Sequence, residues 1–269
     1  MKKFAVIGSP INHSLSPQIH SIFAREAGIE MTYEAIEVNK ENFKAKVDEL
    51  FMKGYLGLNV TLPIKEDAFN YAEVKSENAT LSQSVNTLSS SNSCIYGETT
   101  DGTGLLEDLS EKGFALESSS LILLGAGGSA KSIIPSLLSK KPKHLFLANR
   151  TKEKAEALVK KYKKDFPQIE LFREGLSPKI KIDIVINSTS ASTLNKDIYL
   201  PENLFNPKTK VYDLAYSKDE TSFNIIAKKG GSREVYDGLG MLIHQAAISF
   251  EIWNKFKPST KGIEQKIRT

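Results

Sequence analysis

The chain has 269 residues, with 40% hydrophobic and 25% charged side chains and a formal net charge of +4 from 36 basic and 32 acidic residues. This is the balance of an ordinary soluble globular protein of one large domain or two modest ones, and the basic excess is too small for a nucleic-acid surface. A single cysteine, Cys94, excludes an internal disulfide and points to a reducing, cytoplasmic setting, and neither the short apolar run of MKKFAVIGSP nor any later stretch reads as a signal peptide or a membrane span.

In chain order, KKFAVIG reads as a strand and SPQIHSIFAREAG as a helix, with Pro17 at its first position, Gly28 as its stop and Ser16 as a candidate cap. MTYEAIEV alternates like a strand. NKENFKAKVDELFMKG sets Phe43, Val47, Leu50 and Phe51 on one helical face, and YLGLNV is the next strand. After a helix-prone segment, SVNTLSSSNSCIYGETTDG reads as a hairpin with a loose Ser/Asn turn. The middle changes character. SSLILLGAGGSAKSIIPSLLS is a strand, a glycine turn and a helix in which Pro135 should produce a kink or a shortened end. KHLFLANR, QIELFRE, KIDIVINST, KVYDLAY and SREVYDG are further strands, and TKEKAEALVKKYKKDF is a helix with a solvated basic face. GLGMLIHQAAISFEIWNKF is a last helix, and the polar tail after Pro258 should fray. Strands alternating with helices predict a doubly wound parallel sheet.

GAGGSA, from Gly125 through Ala126, Gly127, Gly128 and Ser129 to Ala130, follows an apolar strand and opens a helix, as a dinucleotide-binding turn does. Gly125 turns the chain, Gly127 lets a pyrophosphate approach the backbone, and the helix start offers free N–H groups. At the end of the following strand an NAD site carries an acidic residue for the ribose. Here the run is Asn149, Arg150 and Thr151, with Lys152 and Lys154 close behind. A planar guanidinium suits a 2′-phosphate, so the pattern favours NADP(H).

Ser14 and Ser16 lie between a strand and a helix start, where two hydroxyls beside free N–H groups suit a carboxylate. For Ser16 a capping role stays open. Lys65 stands just past the end of a strand, where it either points into water or moves a proton. His13 and His20 lack ligand spacing, so no metal is expected, and Cys94 reads as structural.

Together GSPINHSLSPQIH, NVTLPIKE, SVNT, TTDG, GAGGSA, ANRT, DLAY and DGLGMLIHQA resemble, in order over residues 6 to 247, the successive motifs of shikimate dehydrogenases. The resemblance implies a two-domain α/β enzyme that reversibly reduces 3-dehydroshikimate to shikimate with NADPH. An N-terminal substrate-binding domain over 1–101 would be joined by the C-terminal helix, 238–269, and a Rossmann-like cofactor domain would span 102–237, with a cleft between the two. It further implies that Ser14 and Ser16 hold the substrate carboxylate, and that Thr61, Asn86, Gln245 and Tyr216 contact the rest of the ring. Lys65 and Asp101 would be the catalytic pair. Residues 125–129, Asn149, Arg150, Thr151 and Lys154 would hold the phosphates, Leu214 and Gly238 would line the nicotinamide side, and Glu77 matches an acidic position near the cofactor. The expected partners are the small-molecule substrate alone, with no nucleic acid and no membrane, in a monomer or homodimer.

The match departs at Thr99-Thr100, where the family has Asn-Thr, and at NSTSAS, where it has Asn-Ala-Thr and then a glycine. Two other readings remain open: a quinate/shikimate dehydrogenase using NAD, against which ANRT argues, and a non-catalytic sensor of nucleotide and metabolite, against which the retained Lys65 and Asp101 argue. A folate-linked dehydrogenase of the same general fold is disfavoured by the Ser14/Ser16 loop.

Overall fold

A computed structural model describes residues 1–172, 180–189, 200 and 204–268. The chain forms two compact units, Met1–Leu105 with Leu242–Thr269, and Leu106–Met241.

The first unit is built on β1 (Lys2–Gly8), α1 (Ser16–Ala27), β2 (Met31–Glu37), α2 (Phe43–Met52), β3 (Tyr55–Val60), α3 (Lys65–Tyr71), β4 (Val74–Lys75), α4 (Glu77–Ser82), β5 (Thr87–Ser91) and β6 (Cys94–Glu98). Its six strands run in the order β2-β1-β3-β5-β6-β4. β1 pairs in parallel with β2 and β3, and β5 lies antiparallel between β3 and β6. Phe4 to Gly8 are all buried, which is why β1 reads as an unbroken apolar run: a parallel strand covered on both faces has no polar side to show. Ala5, Ile7, Leu58 and Val60 meet Val47, Leu50 and Ala68 from the helices, and Ile64 just before α3, in one core. The hairpin turns through Asn92 and Ser93, both with positive φ, the backbone that a tight two-residue turn demands.

Two longer helices carry the junctions between the units, α5 (Asp101–Glu111) and α9 (Leu239–Asn254). In the first unit, α9 docks on the sheet through Trp253, whose ring stacks on Phe4 at 4.9 Å and whose Nε1 donates to the Leu88 carbonyl at 3.1 Å. It also packs against α5. A Cβ at Gly104 would lie 2.6 Å from the Gln245 backbone nitrogen, so only glycine lets these helices approach this closely.

The second unit contains β7 (Ser120–Leu124), α6 (Gly128–Ser139), β8 (His144–Ala148), α7 (Lys152–Tyr162), β9 (Ile169–Leu171), β10 (Ile184–Asn187), β11 (Lys210–Asp213), α8 (Ser222–Lys229) and β12 (Glu234–Tyr236). Its sheet is parallel in every pairing and ordered β12-β11-β10-β7-β8-β9. The winding reverses between β7 and β10, and the carboxyl ends at such a switch point form the usual ligand crevice of open α/β sheets. This is the doubly wound sheet that the strand and helix alternation predicts.

Three local expectations need correcting. Ser16 does not cap α1: Leu15 occupies that position, and it is Ser14 Oγ that accepts the Ser16 N–H, at 3.3 Å. Of the two outcomes expected at Pro135, a kink or a shortened end, the shortened end is the one overturned: α6 continues through Pro135 to Ser139 on a buried face. The C-terminal tail is ordered rather than frayed. It forms α10 (Ile263–Arg268), buries Ile263, and ties back through the Ser259 N–H to Glu26 Oε1 at 2.9 Å. The departure at NSTSAS falls partly on residues 190–192, outside the described residues.

Candidate active site and cofactor site

Lys65 opens α3, directly after the turn that ends β3. Its backbone carbonyl accepts the Val85 N–H at 3.1 Å, which fixes where the side chain starts. The ammonium does not point into water. Lys65 Nζ lies 2.5 Å from Asp101 Oδ2, and the two side chains are only 10% and 7% exposed. Asp101 begins α5, where a carboxylate also suits the positive end of the helix dipole.

Asn86 holds the second oxygen of this carboxylate. Its Nδ2 donates to Asp101 Oδ1 at 2.8 Å and lies 3.1 Å from Gln245 Oε1, while its Oδ1 accepts the Thr100 N–H at 2.8 Å. The backbone donor on one side and the carboxylate on the other fix which way the amide points. Gln245 is held in turn by its own Nε2, which donates to the Leu242 carbonyl at 2.8 Å. Thr100 Oγ1 lies 2.8 Å from Asn86 Nδ2, so the second threonine of the departure Thr99-Thr100 belongs to this cluster.

Further polar side chains continue inward. Asn59 Nδ2 donates to the Asn86 carbonyl at 3.1 Å and to Ser249 Oγ at 3.0 Å, and Tyr33 OH donates to Asn59 Oδ1 at 2.7 Å. Ser16 is buried at the start of α1. Burial pushes the Tyr33 phenol well above its usual range, so the hydroxyl keeps its proton. His20 stacks on Tyr33 at 4.0 Å, and burial holds its imidazole down at about 3, with the Asn59 side chain acting weakly the other way.

Of the residues singled out from sequence, Lys65, Asn86, Asp101 and Gln245 thus form one hydrogen-bonded cluster. Ser16 lies outside this cluster, at the buried start of α1. Ser14 and Thr61 stand partly buried at the ends of the same elements. Tyr216 and Leu214 follow β11 in the second unit, and Glu77 is an exposed residue at the start of α4 in the first. Tyr33, Asn59, Thr87, Thr100 and Ser249 were not candidates. Polar residues in a strand or in an otherwise apolar helix carry a weak sign of this kind, but their partners lie up to 190 residues away in sequence.

In the second unit Gly125 has φ +108, a conformation closed to most other residues, and a Cβ there would meet Ser188 Oγ at 2.6 Å. Ser188 donates both its N–H, at 2.8 Å, and its hydroxyl, at 2.7 Å, to the Leu124 carbonyl just before that turn. Gly127 has open space where a Cβ would stand. It precedes α6 with no side-chain cap and no acidic residue in the first turn, so the helix N–H groups face an approachable surface. That cradle fits a pyrophosphate. Asn149 Nδ2 donates to the Thr151 carbonyl at 2.7 Å, which shapes the turn after β8, and Arg150, Thr151 and Lys154 are exposed beside it. Lys152 is partly neutralised by Glu156 at 3.5 Å. This basic, uncapped helix start fits a 2′-phosphate. Gly238 packs on Leu214, whose carbonyl a Cβ would strike, and the Gly238 N–H donates to the Ala215 carbonyl at 3.0 Å.

Comparison with known proteins gives a consistent result. Residues 6–88 match the family described as shikimate dehydrogenase substrate binding domain, residues 108–207 shikimate / quinate 5-dehydrogenase, and residues 238–268 shikimate 5′-dehydrogenase C-terminal domain. The shikimate dehydrogenase (NADP(+)) of Legionella pneumophila strain Corby is 44% identical over 270 residues, covering 100% of this chain and 99% of that protein. Among solved structures, an Ael1 enzyme from Pseudomonas putida superposes with a TM-score of 0.90 at 36% identity, over 99% of this chain and 98% of that one. The shikimate 5-dehydrogenase of Thermus thermophilus, solved in complex with NADP(H) and shikimate, has a TM-score of 0.88 at 29% identity, over 100% and 99%.

Proposed function

The chain belongs to the shikimate dehydrogenase family, and from that premise we propose that it interconverts 3-dehydroshikimate and shikimate with NADP(H), using Lys65 and Asp101 as its reacting pair. The observation that carries the assignment of the pair is the buried 2.5 Å contact between Lys65 Nζ and Asp101 Oδ2. A charge pair removed from water contributes little to stability, so its presence here is better explained by chemistry than by folding.

NADPH, when bound, supplies the hydride for the ketone carbon. The chain supplies the proton and the geometry. Lys65 donates a proton to the developing alkoxide and, as an ammonium, stabilises its charge; in the oxidative direction it accepts the proton back. Asp101 holds Lys65 and accepts from a substrate hydroxyl. Asn86, which already donates to Asp101, sets the angle of that carboxylate. Ser14 and Ser16 bind the substrate carboxylate, and Thr61, Gln245 and Tyr216 contact the ring. Residues 125–129 cradle the pyrophosphate. Asn149, Arg150, Thr151 and Lys154 hold the 2′-phosphate end, and Leu214 and Gly238 flank the nicotinamide. Among the described residues no helix is long and apolar enough to cross a membrane, and the lone cysteine supports a reducing, cytoplasmic setting.

The test follows the reduced-nicotinamide absorbance band with shikimate as substrate, for NADP and NAD separately, in the wild type and Lys65→Ala. The expected result is turnover with NADP, much weaker turnover with NAD, and a loss of about a hundredfold or more in the variant. Binding of both ligands without turnover would instead assign a sensor. Equal use of quinate with NAD would overturn the reading of Arg150.

A further inference from the structure

Asp108 and Tyr212 form a buried polar pair in the second unit that the reaction leaves without a task. Tyr212 is fully buried in β11, and Asp108, on the part of α5 that belongs to this unit, is 1% exposed. The Tyr212 hydroxyl donates to Asp108 Oδ2 at 2.5 Å, and Lys112, one turn further on, donates to Asp108 Oδ1 at 2.5 Å. Burial, and after it the Asp108 charge, holds the Tyr212 phenol well above its usual range, so the hydroxyl keeps its hydrogen. Its oxygen accepts the Met241 N–H at 3.3 Å, in the first turn of α9. The same turn presses on the pair at Gly240, where a Cβ would strike the Asp108 carboxylate. A carboxylate at this end of a helix also faces the positive pole of its dipole. The residues just ahead are fixed to the same strand end: Gly238 lies on the Leu214 carbonyl and donates its N–H to the Ala215 carbonyl at 3.0 Å. Residues 238–241 therefore take their place from β11, through the backbone that follows the strand and through the Tyr212 hydroxyl. Packing alone does not need that oxygen, since Phe114 meets the Tyr212 ring edge-on at 6.1 Å, as it would meet a phenylalanine. Nor does a buried charge pair add much to stability.

We propose that Asp108 and Tyr212 are positioning residues that hold the 238–241 turn as one wall of the nicotinamide place, and so govern the hydride-transfer step rather than the affinity for the cofactor. The proposal rests on the functional reading above, in which Gly238 and Leu214 flank the nicotinamide. That reading gives the cofactor phosphates to residues 125–129 and the Arg150 cluster, which belong to β7, α6 and the turn after β8. Loosening residues 238–241 therefore leaves binding largely in place. What suffers is alignment, and a misplacement of about 1 Å costs up to roughly a hundredfold in rate.

Tyr212→Phe removes one oxygen and keeps the ring on Phe114. In the protein without cofactor, amide hydrogen exchange at Met241 quickens by about fivefold or more, the worth of one ordinary bond, while the strands of the sheet keep their protection. In single turnover, with the protein saturated with NADP and mixed with shikimate, the rate of the reduced-nicotinamide signal falls by about ten- to a hundredfold. The NADPH dissociation constant, from fluorescence titration, stays within about twofold. A single-turnover rate does not depend on how much of the protein is folded; only its amplitude does. Phe114→Leu, which loosens the same ring without touching the hydroxyl, is the comparison: it lowers the melting temperature and the amplitude but not the rate. Asp108→Asn keeps an acceptor for the Tyr212 hydroxyl, falls between wild type and Tyr212→Phe in both exchange and rate, and carries the test if Tyr212→Phe does not fold. Wild-type exchange at Met241 or a wild-type rate in these variants overturns the proposal, as does a loss explained by weaker NADPH binding. If the wild type itself gives no signal with shikimate, the functional reading fails, and that outcome is distinct from the others.

Discussion

At the scale of single residues, His20 and Lys65 answer burial in opposite ways. Lys65 keeps a counter-charge within 2.5 Å, whereas His20 is fully buried among the rings of Phe23, Tyr33, Phe250 and Trp253 and remains neutral, its imidazole held at about 3. A histidine with a depressed folded-state value contributes stability that is complete above its unfolded value, 6.5. That stability is lost as pH falls from there, because the unfolded chain takes up a proton that the folded one refuses. At about 1.4 kcal/mol per pH unit, the loss reaches on the order of 5 kcal/mol by pH 3. Urea unfolding of the wild type and of His20→Phe between pH 7 and 4 measures it. The difference between the two stabilities should change with a slope of about one proton below pH 6. Parallel curves would mean that His20 is charged in the fold, or that it is not buried in solution.

At the scale of elements, the placing of Gln245 and Asp101 depends on how closely two helices approach. Gly104 lets α5 lie against α9 inside the first unit; a Cβ there would stand 2.6 Å from the Gln245 nitrogen and 2.8 Å from its Cβ. Alanine in a helix is better than glycine by about 0.5–1 kcal/mol, but these contacts involve backbone that cannot swing aside, so the clash outweighs the propensity. Gly104→Ala should therefore lower the melting temperature and reduce kcat/KM for shikimate by at least about tenfold, because Gln245 and Asp101 move apart with their helices. A variant that is more stable and fully active would show that propensity wins. This close approach is not legible in the sequence, where Gly104 is one of two glycines, with Gly102, just before Leu105 and Leu106. The long elements are legible: β1, β7, β8 and α2 announce themselves by apolar runs or by period. The stretch between YLGLNV and SVNT reads only as helix-prone, without the separate bounds of α3 and α4, and α10 is not legible at all, since six or seven residues span fewer than two turns and give the period little to act on. The candidate site divides in the same way. The glycine turn and the Lys65 strand end are local patterns, but Ser249 is an ordinary serine until folding sets it beside Asn59, 190 residues away.

At the scale of the whole molecule, the chain assigns its two recognition tasks to two separately packed units. Ser14, Ser16 and the Lys65–Asp101 pair, to which the proposed function gives the substrate, belong to the first, and the glycine turn and the Arg150 cluster, to which it gives the cofactor, belong to the second. Separate cores predict separable losses. Arg150 is exposed just past the end of β8 and, among the described residues, lies outside the paired register of that unit's sheet, so its removal should leave the fold intact. A charge-assisted bond to a phosphate contributes about 1.5–3 kcal/mol, or roughly ten- to a hundredfold in binding. Arg150→Ala should raise the KM for NADP by that factor while leaving the KM for NAD, which has no 2′-phosphate, and the KM for shikimate within about twofold. Ser16→Ala should do the converse, weakening shikimate and sparing NADP. The two variants together should then lose the product of the separate factors, as distant sites do. Steady-state kinetics with each cofactor at saturating shikimate, and with shikimate varied at saturating NADP, decides the matter. If Arg150→Ala harms NAD and NADP alike, the cluster serves the turn after β8 rather than the phosphate, and the preference for NADP must come from elsewhere in the second unit.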